Sequence, residues 1–122
     1  MFTLLVLLQV KHWYVDFVMQ TPEMVAGKGI YGNPHGIVHS LQHAAATLAL
    51  LLLAINPTIA ISLAALDFVT YYHIDWVKIR FGCRDIQNPK FWNHLGLDQM
   101  AHQIVYITIA IFAASAMGAV II

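Results

Sequence analysis

Histidines and carboxylates recur four residues apart along this 122-residue chain. His12 pairs with Asp16, His39 with His43 and Asp98 with His102, and Asp67, Tyr71 and Asp75 make a longer run at the same spacing. Residues four apart share one face of a helix. Each pair therefore offers two donor atoms to one point, as helical metal motifs do. Imidazole and carboxylate together suit Zn²⁺, Fe²⁺ or Mn²⁺. A cation held this way lowers the pKa of a bound water, so zinc or a two-metal centre favours hydrolysis, whereas iron opens oxidative chemistry. The candidate ligands, direct or one shell removed, are His12, Asp16, His39, His43, Asp98 and His102. Asp75 is the candidate for a further ligand or for the general base. Zinc is the first expectation, with iron and manganese after it. Four inward-facing helices would follow the logic of di-metal carboxylate bundles, although their Glu-x-x-His spacing is absent here.

The elements that must position these groups are apolar. The chain is 60% apolar and 10% charged, against roughly 25% charged for a soluble domain. That deficit places it in a bilayer. Four stretches are long enough to cross as helices: about Met1 to Gln20, Gly36 to Ile55, Thr58 to Phe81, and Leu97 to the C-terminus. None alternates as a strand would. The expected fold is all-α, a single domain over residues 1–122 with four transmembrane helices in an up-down bundle. Asn56-Pro57 is a tight uncharged turn, while the connections from about Thr21 to His35 and from Cys83 to Gly96 carry the loop charges. All six basic residues (Lys11, Lys28, Lys78, Arg80, Arg84, Lys90) lie on or toward the side of those two connections. The positive-inside rule makes that side cytoplasmic and puts both termini outside it, in the inner membrane of the cell. The small-residue run Ala113, Ala114, Ala116 and Gly118 reads as close helix packing.

Some functions are set aside. Net charge is zero, which argues against nucleic acid as a partner. One cysteine, Cys83, excludes an internal disulfide and a CxxC zinc site. The start lacks the basic residues and cleavage site of a secretory signal and reads as a retained helix. Membrane lipid is the expected partner, and the sequence leaves room for a homo-oligomer or a larger membrane complex.

Depth turns the pairs into a cluster. At 1.5 Å per residue, His12 lies roughly 12 Å from the cytoplasmic end of its helix and Asp16 roughly 6 Å. His39 and His43 fall at roughly 4 and 10 Å, Asp75 near 9 Å, and His102 near 8 Å, with Asp98 at the boundary. Alternating helix direction then brings all four sets to one level. His73 points roughly 200° away from Asp75 and stays outside the cluster, and so does His35. Asp67 stands alone near the midplane, where a carboxylate costs about 2.5–3.5 kcal/mol. Trp13, Tyr14, Tyr72, Trp76 and Trp92 fit an interfacial belt.

With these residues in view, the chain resembles the bacterial and phage membrane family called domain of unknown function 3307. The first helix carries HWYVDFVMQT from His12 to Thr21, matching a pattern HxxxDFxxQT, and Lys28 follows. The second helix opens HGIVHSLQH, the third ends IDWVK from Ile74 to Lys78, and the fourth opens DQMAH from Asp98 to His102. The family pattern has His four residues before the third-helix Asp, where this chain has Tyr71. The resemblance implies a four-helix membrane protein and no particular activity.

The expected function is metal-dependent hydrolysis of a lipid or lipid-linked substrate in the cytoplasmic leaflet. Lys28, Lys78 and Arg80 stand near the leaflet surface, where they would hold an anionic headgroup; ordinary positive-inside residues would stand there too. Two other classes remain. In one, a non-catalytic accessory or binding subunit uses the histidines to ligate haem or a pigment, or as polar glue between helices. In the other, a proton or metal-ion permease uses Asp67 and the histidines.

Overall fold

The helices of the chain begin in a common way. In the computed structural model, which describes residues 1–118, four helices start with a capping residue followed by proline. α2 (Pro22–Lys28) is capped by Thr21, α3 (Pro34–Leu52) by Asn33, α4 (Pro57–Phe81) by Asn56 and α5 (Pro89–Ala116) by Asn88. Each cap's side-chain oxygen accepts a backbone N–H of the first turn, and proline at the start loses nothing by lacking one. α1 (Phe2–Trp13) continues without a break into a π-helical turn, Tyr14–Met19. Among the described residues the chain is all helical, with five α-helices and no strand.

The long helices run antiparallel in sequence. His39 faces Asp75 and Thr47 faces Asp67, so α3 and α4 advance in opposite directions. Asp75–His102 and Lys78–Asp98 do the same for α4 and α5, and Asp16–His39 and Lys11–His43 for α1 and α3. One end of the bundle is apolar: Leu4, Leu8, Leu51, Ala60, Leu63, Ile109, Ala110 and Ala113 pack as one cluster. Ala113 and Ala114 are buried there, as close packing requires, while Ala116 and Gly118 are exposed. The other end has a polar interior.

Two connections differ from the sequence reading. α5 begins at Pro89, so half of the connection expected from Cys83 to Gly96 is helix, and Gly96 lies inside it. The connection from Thr21 to His35 holds α2, which packs on α3 and α4. The last four residues of the fourth expected stretch, 119–122, lie outside the described residues. The expectation of four spans is also too simple. Among the described residues, two helical segments are long and apolar enough to cross a membrane, Phe2–Met19 and Pro89–Ala116, and not four. In α3 the residues His35, His39, Gln42 and His43 dilute the apolar composition, as Asp67, His73, Asp75, Lys78 and Arg80 do in α4.

Candidate metal centre

Asp16 organises the first half of the polar interior. It sits within the π-helical turn at the end of α1, an irregularity that is frequent at functional sites. Its Oδ1 accepts the Tyr71 hydroxyl at 2.7 Å, His39 Nε2 at 3.0 Å and His43 Nε2 at 3.3 Å. His12 Nε2 lies 3.5 Å from its Oδ2. His39 and His43, both on α3, are fully buried. They line up because four residues make slightly more than one turn.

A second group forms around Asp75. Its Oδ1 takes His102 Nε2 at 3.2 Å, and the same nitrogen lies 3.5 Å from Asp98 Oδ1. Asp98 Oδ2 accepts Lys78 Nζ at 3.2 Å and Gln99 Nε2 at 3.1 Å. Its Oδ1 is buried without a hydrogen-bond donor. Three features join the groups. The Tyr71 ring is stacked between the His43 and His102 rings, with centroids 3.7 and 3.9 Å away. His39 Nε2 also comes within 3.7 Å of Asp75 Oδ2. Lys28 Nζ lies 2.7 Å from Asp75 Oδ2 and 3.8 Å from Asp16 Oδ1, and it donates to Gln20.

The donor sets fit a divalent cation in size. Asp16, His39 and His43 bring one ligand atom each within 4.8 Å of one another, and Asp75, Asp98 and His102 do likewise. Tetrahedral bonds of about 2.0–2.1 Å put neighbouring ligand atoms roughly 3.3 Å apart. The observed 3.0, 3.3, 3.2 and 3.5 Å bracket that value. Charge points the same way. Among the described residues of the cluster, four carboxylates (Asp16, Asp67, Asp75, Asp98) face three ammonium groups. Lys11 pairs with Asp67, Lys28 with Asp75 and Lys78 with Asp98 at 3.0, 2.7 and 3.2 Å. Asp16 is the one left over, facing three imidazoles, so a proton on one of them or a bound cation must complete the balance.

The sequence-derived residues do not all stand alike. Asp16, His39, His43, Asp75, Asp98 and His102 form the two groups. His12 stands beside them, with Nδ1 2.9 Å from the Tyr106 hydroxyl and Nε2 3.0 Å from Gln99 Oε1. Both its nitrogens are committed, which suits an orienting role. Lys28, Lys78 and Arg80 do not meet at one place. Lys28 is buried between the acids, Lys78 is partly buried on Asp98, and Arg80 is exposed. His35 and His73 are exposed, and His73 bonds the Val69 carbonyl and Tyr31. His94 Nδ1 accepts the Cys83 N–H at 2.8 Å.

Lys11 is the residue that sequence reasoning passed over. Its Nζ donates to Asp67 Oδ2 at 3.0 Å and to the His43 carbonyl at 3.2 Å, and His43 Nδ1 is also 3.2 Å away. Asp67 is thus paired, with Thr47 donating to the same oxygen. Tyr106, fully buried against His12, was passed over too; it sits four residues beyond His102, and that spacing was its signal.

No curated protein and no solved structure matches the chain. The family described as "Protein of unknown function (DUF3307)" matches residues 4–121. That span takes in all but the first two residues of α1, the whole of α2 to α5 and every residue of both donor groups, and the chain belongs to that family.

Proposed function

We propose that the protein is a membrane metalloprotein that hydrolyses a lipid or lipid-linked substrate. Asp16, His39 and His43 hold one divalent cation, zinc first, and Asp75, Asp98 and His102 hold a second. The carrying observation is the pair of buried three-residue groups at ligand spacing. A cation there supplies a nucleophile at neutral pH by acidifying water. Asp75, between Lys28 and His102, is a ligand or the general base. A lipid environment is supported by an inside-out distribution of residues. α3 and α4 bury His39, His43, Asp67 and Asp75 while exposing Leu41, Leu52, Ile61, Val69 and Val77. Water offers no reason for that arrangement, whereas lipid does. The positive-inside rule then sets the polar end in the cytoplasmic leaflet, with both termini opposite.

One observation favours a second reading, a non-catalytic polar lock between helices. An ammonium group can only donate, so Lys11 beside His43 Nδ1 fixes that nitrogen as acceptor and leaves Nε2–H donating to Asp16. Binding a metal through Nε2 requires the other tautomer, with Lys11 turned wholly to Asp67 and the His43 carbonyl.

Elemental analysis separates the two. Protein purified in mild detergent without chelator is measured beside His43→Ala and Asp98→Ala. One or two metal ions per chain, reduced in each variant, support the metalloprotein. Metal-free wild type with both variants folded leaves only the lock.

A further inference from the structure

We infer that the groove between α4 and α5 at the polar end binds an anionic phospholipid, with its acyl chain in the groove and its phosphate at Arg80 and Arg84. For the reaction this rests on the hydrolase reading above; for binding it does not.

The groove exists because the two helices pack closely at one end only. At the apolar end Ala60, Ala64, Ala110, Ala113 and Ala114 are buried and small enough for close contact. Toward the polar end the facing residues are larger, and a cavity of about 500 Å³ opens between Ile74, Val77 and Phe81 on one side and Leu97 and Ala101 on the other. That size falls in the range of about 300–1,000 Å³ that holds small molecules. Val77, Phe81 and Leu97 are 50%, 70% and 51% exposed, so the mouth faces sideways, where lipid would be.

The inner wall is not apolar. Asp98, a member of the second donor group, lines the same cavity, and its Oδ1 is buried without a donor. A chain lying in the groove therefore passes beside Asp98 of the candidate centre. Lys78, on Asp98, lines the cavity too.

Charge selects the headgroup. Gly82 lies in the wall of the groove and also in the wall of a second cavity of about 300 Å³, which carries Arg80 and Arg84. Among the described residues neither arginine has a carboxylate within ion-pair distance, although each lysine of the cluster has one. Two such guanidinium groups in a cavity that shares Gly82 with the groove, and that Ala26, Gly29 and Ile30 wall on its far side, complement a phosphate by paired hydrogen bonds. A zwitterionic headgroup would set its own cation against them.

The test is lipid retention. The protein is purified in mild detergent with an equal mixture of phosphatidylglycerol and phosphatidylcholine, and bound lipid is read by native mass spectrometry with metal content measured on the same sample. Wild type is expected to keep phosphatidylglycerol in preference. The Arg80→Ser/Arg84→Ser variant is expected to lose about tenfold of that preference, roughly one charge-assisted contact. Val77→Trp at the exposed mouth, and separately Ala101→Phe deeper in, are expected to expel both lipids without changing metal content. Equal retention of the two lipids by wild type, or unchanged retention in Val77→Trp, overturns the proposal. Preferential retention lost in Val77→Trp, in a protein without metal, upholds the groove and removes the hydrolase.

Discussion

Replacing Lys11 by methionine tests the buried pair that anchors the deep side of the cluster. Lys11 Nζ and Asp67 Oδ2 are 3.0 Å apart, with side chains 7% and 1% exposed. At an effective dielectric of about 20 that separation corresponds to an attraction of about 5 kcal/mol before desolvation is charged against it. Removing one partner of such a pair costs about 3–5 kcal/mol, because the other charge is left buried and unpaired. Here the upper part of that range applies, since Lys11→Met also strips a donor from the His43 carbonyl. Replacing both partners, Lys11→Met with Asp67→Leu, removes the stranded charge. The double variant is expected within about 1 kcal/mol of wild type, or above it. Thr47 then loses its acceptor and turns its hydroxyl to its own helix. The assay is equilibrium unfolding in mild detergent with rising SDS, run on all four members of the cycle. A cost below about 1 kcal/mol for Lys11→Met, or a double variant no better than the single, would refute the argument that this pair is dry and mutually dependent.

Other consequences are as open to measurement. Lys28→Met removes a cation 2.7 Å from Asp75 and 3.8 Å from Asp16, so zinc should bind about tenfold or more tightly by competition titration; weaker binding would assign Lys28 a supporting role at the metal. Adding zinc to about 100 times its Kd should stabilise the wild-type protein by about 2.7 kcal/mol and EDTA should reverse it, whereas an unmoved unfolding curve speaks for the polar lock. Tyr71→Phe keeps the ring between His43 and His102 but takes away the 2.7 Å hydrogen bond to Asp16, a loss of about 1–3 kcal/mol that a bound cation should make smaller. Gly82→Ala would set a Cβ against the Lys78 carbonyl oxygen at the end of α4 and should cost about 1–3 kcal/mol in unfolding; a neutral result would mean that the turn shifts freely.

The sequence made the long helices readable through apolar length, and the level of the cluster readable through helix rise and alternating direction. It made the ends less so, and the reason lies in four dipeptides. Thr21-Pro22 and Asn56-Pro57 read naturally as places where helices stop. Together with Asn33-Pro34 and Asn88-Pro89 they are places where helices start, because the cap and the proline both serve a first turn. Reading Asn88-Pro89 that way would have begun α5 eight residues earlier than Leu97 and put His94 on the helix. α2, at seven residues, is too short for periodicity to reveal. Its consequence is large, since packing it on α3 and α4 carries Lys28 from an expected surface into the space between Asp75 and Asp16.

Lys11 failed to register for a different reason. Basic residues in a membrane chain are expected at the interface, since their long side chains snorkel, and the positive-inside rule sets Lys11 toward the cytoplasmic side. Helix rise places Lys11 elsewhere. Lys11 lies roughly 13 Å from the end of its segment at Gln20, deeper than any other cation, and Asp67 lies roughly 21 Å from Phe81, deeper than any other anion. Two charges of opposite sign that deep have few partners except each other, and burying either alone is the costlier arrangement. Ranking charges by depth would have paired them. It would also have shown that Asp67 belongs to the balance of the cluster, which leaves Asp16, ringed by imidazoles, as the carboxylate that still needs a cation.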